Sequence, residues 1–212
     1  MISKERYLSN PCRNASIPYW KMKHIIIPDE MQIIHNDDFN EADYRQYIDE
    51  PYFRLYHDLL NITFPKIPEG FLLSDVTLRD YADHINQCYG CACISESELY
   101  SYTTRPVYNA ELWIAAKDKY SGAVVATGIA DLDREMGEGV LEWIQVSKDY
   151  RRCGLGRYIV SELLWRMRDC AKFVTVAGQC HNSTNPEQLY RTCGFTGTDV
   201  WHILKKRELC RT

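Results

Sequence analysis

The stretch from Gly139 to Leu164 constrains this chain more than any other. A short apolar strand pattern, Val140-Leu141-Glu142-Trp143-Ile144-Gln145-Val146, runs through a polar turn into Arg151-Arg152-Cys153-Gly154-Leu155-Gly156-Arg157. Behind those glycines Leu155, Ile159, Val160, Leu163, Leu164 and Met167 recur at helical spacing, which predicts an amphipathic helix packed on a sheet. Strand, glycine loop and helix start make an anion site, because the first N–H groups of a helix have no internal partner and carry roughly half a positive charge. Arg151, Arg152 and Arg157 add fixed charge to it.

Glycine spacing separates the ligands that such loops bind. GxxxxGK[ST] is absent, and a GxGxxG fingerprint lacks its third glycine. What remains is [QR]xxGx[GA], with Arg151, Gly154 and Gly156 in the fixed places. Taken alone, these six residues also fit a solvated surface turn. A second signature follows downstream, Asn185-Pro-Glu-Gln-Leu189-Tyr190-Arg-Thr-Cys-Gly194-Phe195, an LYxxxGF element. Together, in this order, the two motifs resemble the GNAT superfamily of acyltransferases, whose glycine loop holds the pyrophosphate of coenzyme A.

Composition is compatible with this and narrows the partners. The 212 residues are 25% charged and 45% hydrophobic with a net charge of -4, an ordinary soluble composition without the basic stripes of nucleic-acid partners. The first residues carry no apolar core with a small-residue cleavage site, and no run reaches about eighteen apolar residues, so a cytoplasmic location is expected. Nine cysteines, an odd number, fit free thiols in a reducing compartment better than a disulfide framework.

Along the chain, residues 1–70 do not read as part of the motif-bearing unit. They hold an acidic stretch from Asp29 to Glu50, and Pro51 to Leu60 is predicted as a helix with Phe53, Tyr56 and Leu60 on one side. Pro65 and Pro68 punctuate, and a boundary is placed near Gly70. From Phe71 the pattern is regular. A strand at Phe71–Ser74 precedes a helix opened by Thr77 and Asp80, and Ser95-Glu-Ser-Glu98 caps a second helix. Leu112–Ala116 and Ala123–Ile129 read as a hairpin, followed by the strand, loop and helix already described. A strand at Phe173–Ala177, a helix capped by Asn185 with Pro186 first, and a strand at Val200–Leu204 complete the order.

The resemblance implies a mixed α+β chain with the GNAT fold over 71–212: a central, mostly antiparallel twisted sheet splayed between its fourth and fifth strands, helices on both faces, and the 1–70 extension. It also implies acetyl transfer from acetyl-CoA, as a co-substrate, to a primary amine by direct attack in a ternary complex. A non-catalytic acyl-CoA binding module is the alternative.

Site residues follow from the same comparison. The loop Arg151, Arg152, Cys153, Gly154, Leu155, Gly156 and Arg157 would take the pyrophosphate, and backbone groups of Ile144 and Val146 the pantetheine. Tyr190 is the expected acid for the leaving thiolate; a phenol of ordinary pKa near 10 can protonate it. Glu142 is the candidate base, since strand alternation would put it on the face of Ile144 and Val146, in apolar surroundings that raise a carboxyl pKa. Asn182 and Asn185 bracket a place where the family often bonds the coenzyme, although Asn185 is also explained as a helix cap. His84, Cys88, Cys91 and Cys93 have metal-ligand chemistry, but their spacing lacks paired CxxC knuckles and no metal is expected. Cys153 and Cys193 have no activating base nearby in sequence, which disfavours an acyl-cysteine route. The acidic extension is compatible with a cationic acceptor, a cover over the acceptor cleft, a homodimer contact or simply a solvated face.

Overall fold

The computed structural model describes residues 2–89 and 94–206. In chain order the elements are α1 (Lys4–Ser9), α2 (Pro11–Asn14), α3 (Tyr19–Met22), β1 (Met31–His35), β2 (Tyr47–His57), β3 (Phe71–Leu73), α4 (Leu78–Tyr89) and α5 (Glu96–Thr103). Then come β4 (Trp113–Asp118), β5 (Val124–Asp133), β6 (Glu138–Val146), α6 (Leu155–Met167), β7 (Phe173–Gln179), α7 (Pro186–Thr192) and β8 (Thr196–Lys206). From β3 onward this is the order of strands and helices that the sequence predicts.

The chain forms two compact units, Met1–Tyr56 with Thr175–Thr212, and His57–Val174. In the first, strand order runs β1, β8, β2, β7, and β8 pairs antiparallel with both β1 and β2. Buried Arg54 on β2 reaches back to the first helices, donating to the Ala15 carbonyl at 2.6 Å and the Tyr7 hydroxyl at 2.8 Å. A buried guanidinium needs such acceptors, so it fixes where the N-terminal helices sit within this unit.

The helix expected at Pro51–Leu60 is instead the second half of β2, ending at His57, and the start of the loop after it. Its register with β8 puts Phe53 opposite Val200 and Tyr52 opposite Trp201. Those partners lie about 150 positions away in sequence, so the i, i+3 spacing of Phe53 and Tyr56 was a local coincidence that non-local pairing overrode.

The second unit is built on β6, β5, β4 and β3, paired antiparallel in that order. One side of β5 carries α6: a Cβ placed on Gly128 would stand 2.5 Å from Ile159 Cγ2, so glycine there lets helix and strand approach closely. The apolar cluster of Tyr81, Ala82, Ile85, Ile94, Leu99, Ala115 and Ile129 packs α4 and α5 onto β4 and β5. The start of α4 has the expected reciprocal cap, Thr77 N to Asp80 Oδ2 at 2.8 Å and Asp80 N to Thr77 Oγ1 at 3.2 Å. Among the described residues no helix is long and apolar enough to cross a membrane.

Candidate functional site

β6 delivers the chain to the glycine loop. Val146 closes the strand opposite Ala126, Ser147 N donates to the Val125 carbonyl at 2.9 Å, and a single 3-10 turn, Lys148–Tyr150, leads into Arg151. Arg151 folds back, its Nε donating to the Val146 carbonyl at 3.2 Å. Two residues of the loop then take left-handed backbone, Arg152 at φ 64° and Gly154 at φ 83°. Gly154 heads α6 without a side-chain cap, so the N–H groups of Leu155 and Gly156 begin the helix with no intrahelical acceptor. Arg151, Arg152, Cys153, Gly154 and Arg157 are all exposed around them. This is a basic cluster of backbone donors at the positive end of a thirteen-residue helix, suited to a phosphate diester or pyrophosphate.

A segment between β2 and β3 runs along the same helix. The Phe64 ring meets Trp165 of α6 edge-on at 5.2 Å, Pro68 lies over Gly154, and Phe71 meets Tyr150 edge-on at 6.0 Å. Pro68, which in the sequence marks only a break between elements, also stands beside the loop.

Glu142 sits at an irregularity. Ile129 pairs with Trp143 and the next residue, Ala130, with Leu141, so Glu142 has no opposite number on β5. A bulge of this kind interrupts the alternation from which a shared face with Ile144 and Val146 was expected, and re-aims the side chain locally. The bulge, rather than the strand period, therefore sets the direction of the Glu142 carboxyl. Ile144 and Val146 keep their register, opposite Gly128 and Ala126.

Behind the end of β6 lies a polar group that the motifs did not reveal. His84 on α4 is 3% exposed, with Nδ1 2.8 Å from Thr127 Oγ1 and Nε2 3.0 Å from Ser147 Oγ. Thr127 also accepts from the Gln145 side-chain amide, its registered partner across β5 and β6. Burial lowers the His84 pKa to about 4, against a hydrogen bond with the Val125 backbone that raises it. Cys88 lies one turn on, its Sγ 3.6 Å from His84 Nε2; burial raises its pKa while the nearby Arg151 charge lowers it. A polar side chain within the apolar stripe Tyr81, Ala82, Ile85 is the sequence signal for this group. Of the residues considered as a metal cluster, Cys91 and Cys93 lie outside the described residues. Among the described residues no group of three His, Cys, Asp or Glu is placed to hold a metal ion.

Tyr190, Asn182 and Asn185 belong to the other unit. Tyr190 is 7% exposed on α7, its ring 6.2 Å from Phe53 and 5.8 Å from Phe195. Asn185 caps α7 from left-handed backbone, φ 49°, with Oδ1 accepting from Gln188 N at 3.3 Å. Asn182 Oδ1 accepts from Thr184 N and Oγ1 at 2.9 and 2.7 Å. Both side-chain oxygens thus serve the turn that launches the helix. Cys153 and Cys193 are free thiols, as are Cys12, Cys88, Cys170 and Cys180.

Residues 108–197 match the family model described as acetyltransferase (GNAT) domain. No curated protein matches the chain by sequence. Among solved structures, a GCN5-related N-acetyltransferase from Sphaerobacter thermophilus is similar at 17% identity and a TM-score of 0.67, over 88% of this chain and 63% of that one. A GNAT-family acetyltransferase from Colwellia psychrerythraea is similar at 11% identity and a TM-score of 0.59, over 82% and 64% of the two chains. Ard1 from Thermoplasma volcanium is similar at 14% identity and 0.51, over 64% of this chain and 97% of that one. At these identities the likeness is one of fold, and this chain spans less than two thirds of the first two structures' length.

Proposed function

Because residues 108–197 match the GNAT acetyltransferase family model, we propose that this protein is an N-acetyltransferase that moves the acetyl group of acetyl-CoA to a primary amine by direct attack. The observation that carries this reading is the loop: left-handed Gly154 heads an uncapped α6 directly after β6, ringed by Arg151, Arg152 and Arg157, inside the matched span.

Acetyl-CoA is the substrate that supplies the thioester, whose C–S bond breaks as the amine forms an amide. In this reading the first N–H groups of α6 and the three arginines neutralise its pyrophosphate, while backbone groups of Ile144 and Val146 align the pantetheine. The residues present fit such a ligand, since the donors are cationic side chains or backbone amides at the start of α6. Asn182 and Asn185 add amide donors from the turn before α7.

An ammonium has no lone pair for attack, so a base must take its proton. Glu142, held at the bulge of β6, has that role, directly or through water. The departing thiolate needs a proton in return, and the LYxxxGF pattern assigns it to the hydroxyl of Tyr190. Residues 71–212 carry this machinery in our reading, and residues 1–70 are an extension to it, an acceptor-side or dimerisation element.

The test combines calorimetric titration of acetyl-CoA with turnover against a panel of primary amines. The proposal expects binding and turnover on at least one amine, with Tyr190→Phe and Glu142→Gln each lowering the rate by about a hundredfold while leaving coenzyme binding intact. Unchanged rates in both variants would remove the two assigned roles. Tight binding with no turnover on any amine would identify a non-catalytic acyl-CoA binding module instead.

A further inference from the structure

We infer that His84 is a positioning residue that locks α4 to the coenzyme-bearing end of β6, so that the glycine loop is presented in its binding geometry. The inference rests on the reading of that loop as the acetyl-CoA site.

The inner stripe of α4 is apolar at Tyr81, Ala82 and Ile85, and an aliphatic residue at position 84 would extend it. A buried imidazole is a liability there unless both nitrogens are satisfied. Both are, by Thr127 of β5 through Nδ1 and by Ser147, the first residue beyond β6, through Nε2. With the proton on Nε2, the direction is consistent throughout. The Gln145 amide donates to Thr127, the Thr127 hydroxyl to Nδ1, and Nε2–H to Ser147.

The place where this relay ends gives it a function. Ser147 is the joint between the strand and the loop, and four residues later Arg151 returns to the Val146 carbonyl. The Arg151 charge also acts on Cys88 and Tyr89 in the last turn of α4, lowering pKa values that burial raises. Backbone hydrogen bonding holds Ser147 N to Val125, leaving its hydroxyl as the tie to the helix. Cutting that tie lets the joint move while leaving every proposed ligand contact chemically present. The Gln145 and Thr127 side chains are 5% and 0% exposed, which keeps water from replacing the imidazole.

The two arms can be separated by substitution. Glutamine at 84 places an amide N–H where Nε2 lies and reaches Ser147; asparagine places its polar atoms near Nδ1 and reaches only Thr127. Leucine fills the volume and makes neither bond. Acetyl-CoA affinity is measured by calorimetry on the full chain, with melting temperature followed in parallel, for His84→Leu, His84→Asn, His84→Gln and Ser147→Ala. The expected result is an affinity loss of about tenfold for His84→Leu, His84→Asn and Ser147→Ala, and recovery to within about threefold for His84→Gln. Turnover at saturating acetyl-CoA should change far less than KM.

Equal affinity in wild type, His84→Leu and Ser147→Ala overturns the inference, as does recovery by asparagine equal to that by glutamine. Should the core variants fail to fold, Ser147→Ala decides alone, because that side chain is half-buried at the end of the network. A wild-type protein that binds no acetyl-CoA overturns the reading of the loop itself, which is a different result from wild-type binding that the variants leave unchanged.

Discussion

Pro68 stands against Gly154: a Cβ built on the glycine would lie 3.4 Å from the proline Cγ, at a position whose φ is already 83°. Gly154→Ala therefore meets the left-handed backbone, while its Cβ comes only into ordinary contact with the proline. The backbone alone costs about 1–2 kcal/mol. Gly122, at φ 72° with nothing within 4 Å of its Cβ, isolates that cost. Both alanine variants should lose similar stability in thermal melts, but only Gly154→Ala should weaken acetyl-CoA binding. Equal coenzyme affinity in the two variants would show that position 154 is irrelevant to the ligand.

Arg152 holds left-handed backbone, φ 64°, without being glycine. Arg152→Gly relieves that strain, so its melting temperature should equal or exceed that of the wild type. The same change removes a cation beside the proposed pyrophosphate. Acetyl-CoA affinity should fall a few-fold at low salt, and the difference should shrink as ionic strength rises. A variant that loses stability would place Arg152 in a structural contact that outweighs the strain.

His84 carries a pH prediction for stability. Its pKa in the folded chain is about 4, against 6.5 for the ordinary imidazole. The unfolded chain therefore takes up a proton in a window where the folded chain does not. The contribution is complete above about pH 6.5 and disappears as pH falls towards 4, amounting to roughly 3 kcal/mol over the window. Denaturant titrations between pH 7 and 4 should show the wild type losing stability more steeply with falling pH than His84→Leu, which lacks the titrating group. Parallel pH dependence in the two proteins would contradict it.

Gly178 prepares the surroundings of Tyr190. A Cβ there would come within 2.6 Å of Phe53 Cζ, and the Phe53 ring is in turn 6.2 Å from Tyr190. Phe53 is itself buried, 2% exposed. Gly178→Ala should cost about 1–3 kcal/mol by overpacking and should lower kcat more than acetyl-CoA affinity. A reduced affinity with unchanged kcat would argue that Tyr190 is a packing residue alone.

The β2 strand and the Glu142 bulge show where reading the chain in order reaches its limit. Phe53 and Tyr56 fit a helical spacing, yet their segment pairs with β8, whose residues come about 150 positions later. Nothing within ten residues of Pro51 announces that partner. Glu142 sits in a run whose period is that of a strand, and the extra residue appears only when Leu141 and Trp143 are matched against adjacent residues of β5. His84 was legible as a polar residue in an apolar stripe, but not as the link between Thr127 and Ser147.

Local rules were enough for the glycine loop, the caps at Thr77, Ser95 and Asn185, and the order of elements from β3 to β8, because turns, caps and amphipathic stripes depend on neighbours a few residues apart. Only the tertiary structure decided that Pro68 stands beside the loop, that a bulge aims Glu142, and that His84 ties α4 to Ser147. Those relations join residues distant in sequence, and they are chosen by which surfaces can be buried together with their polar groups satisfied.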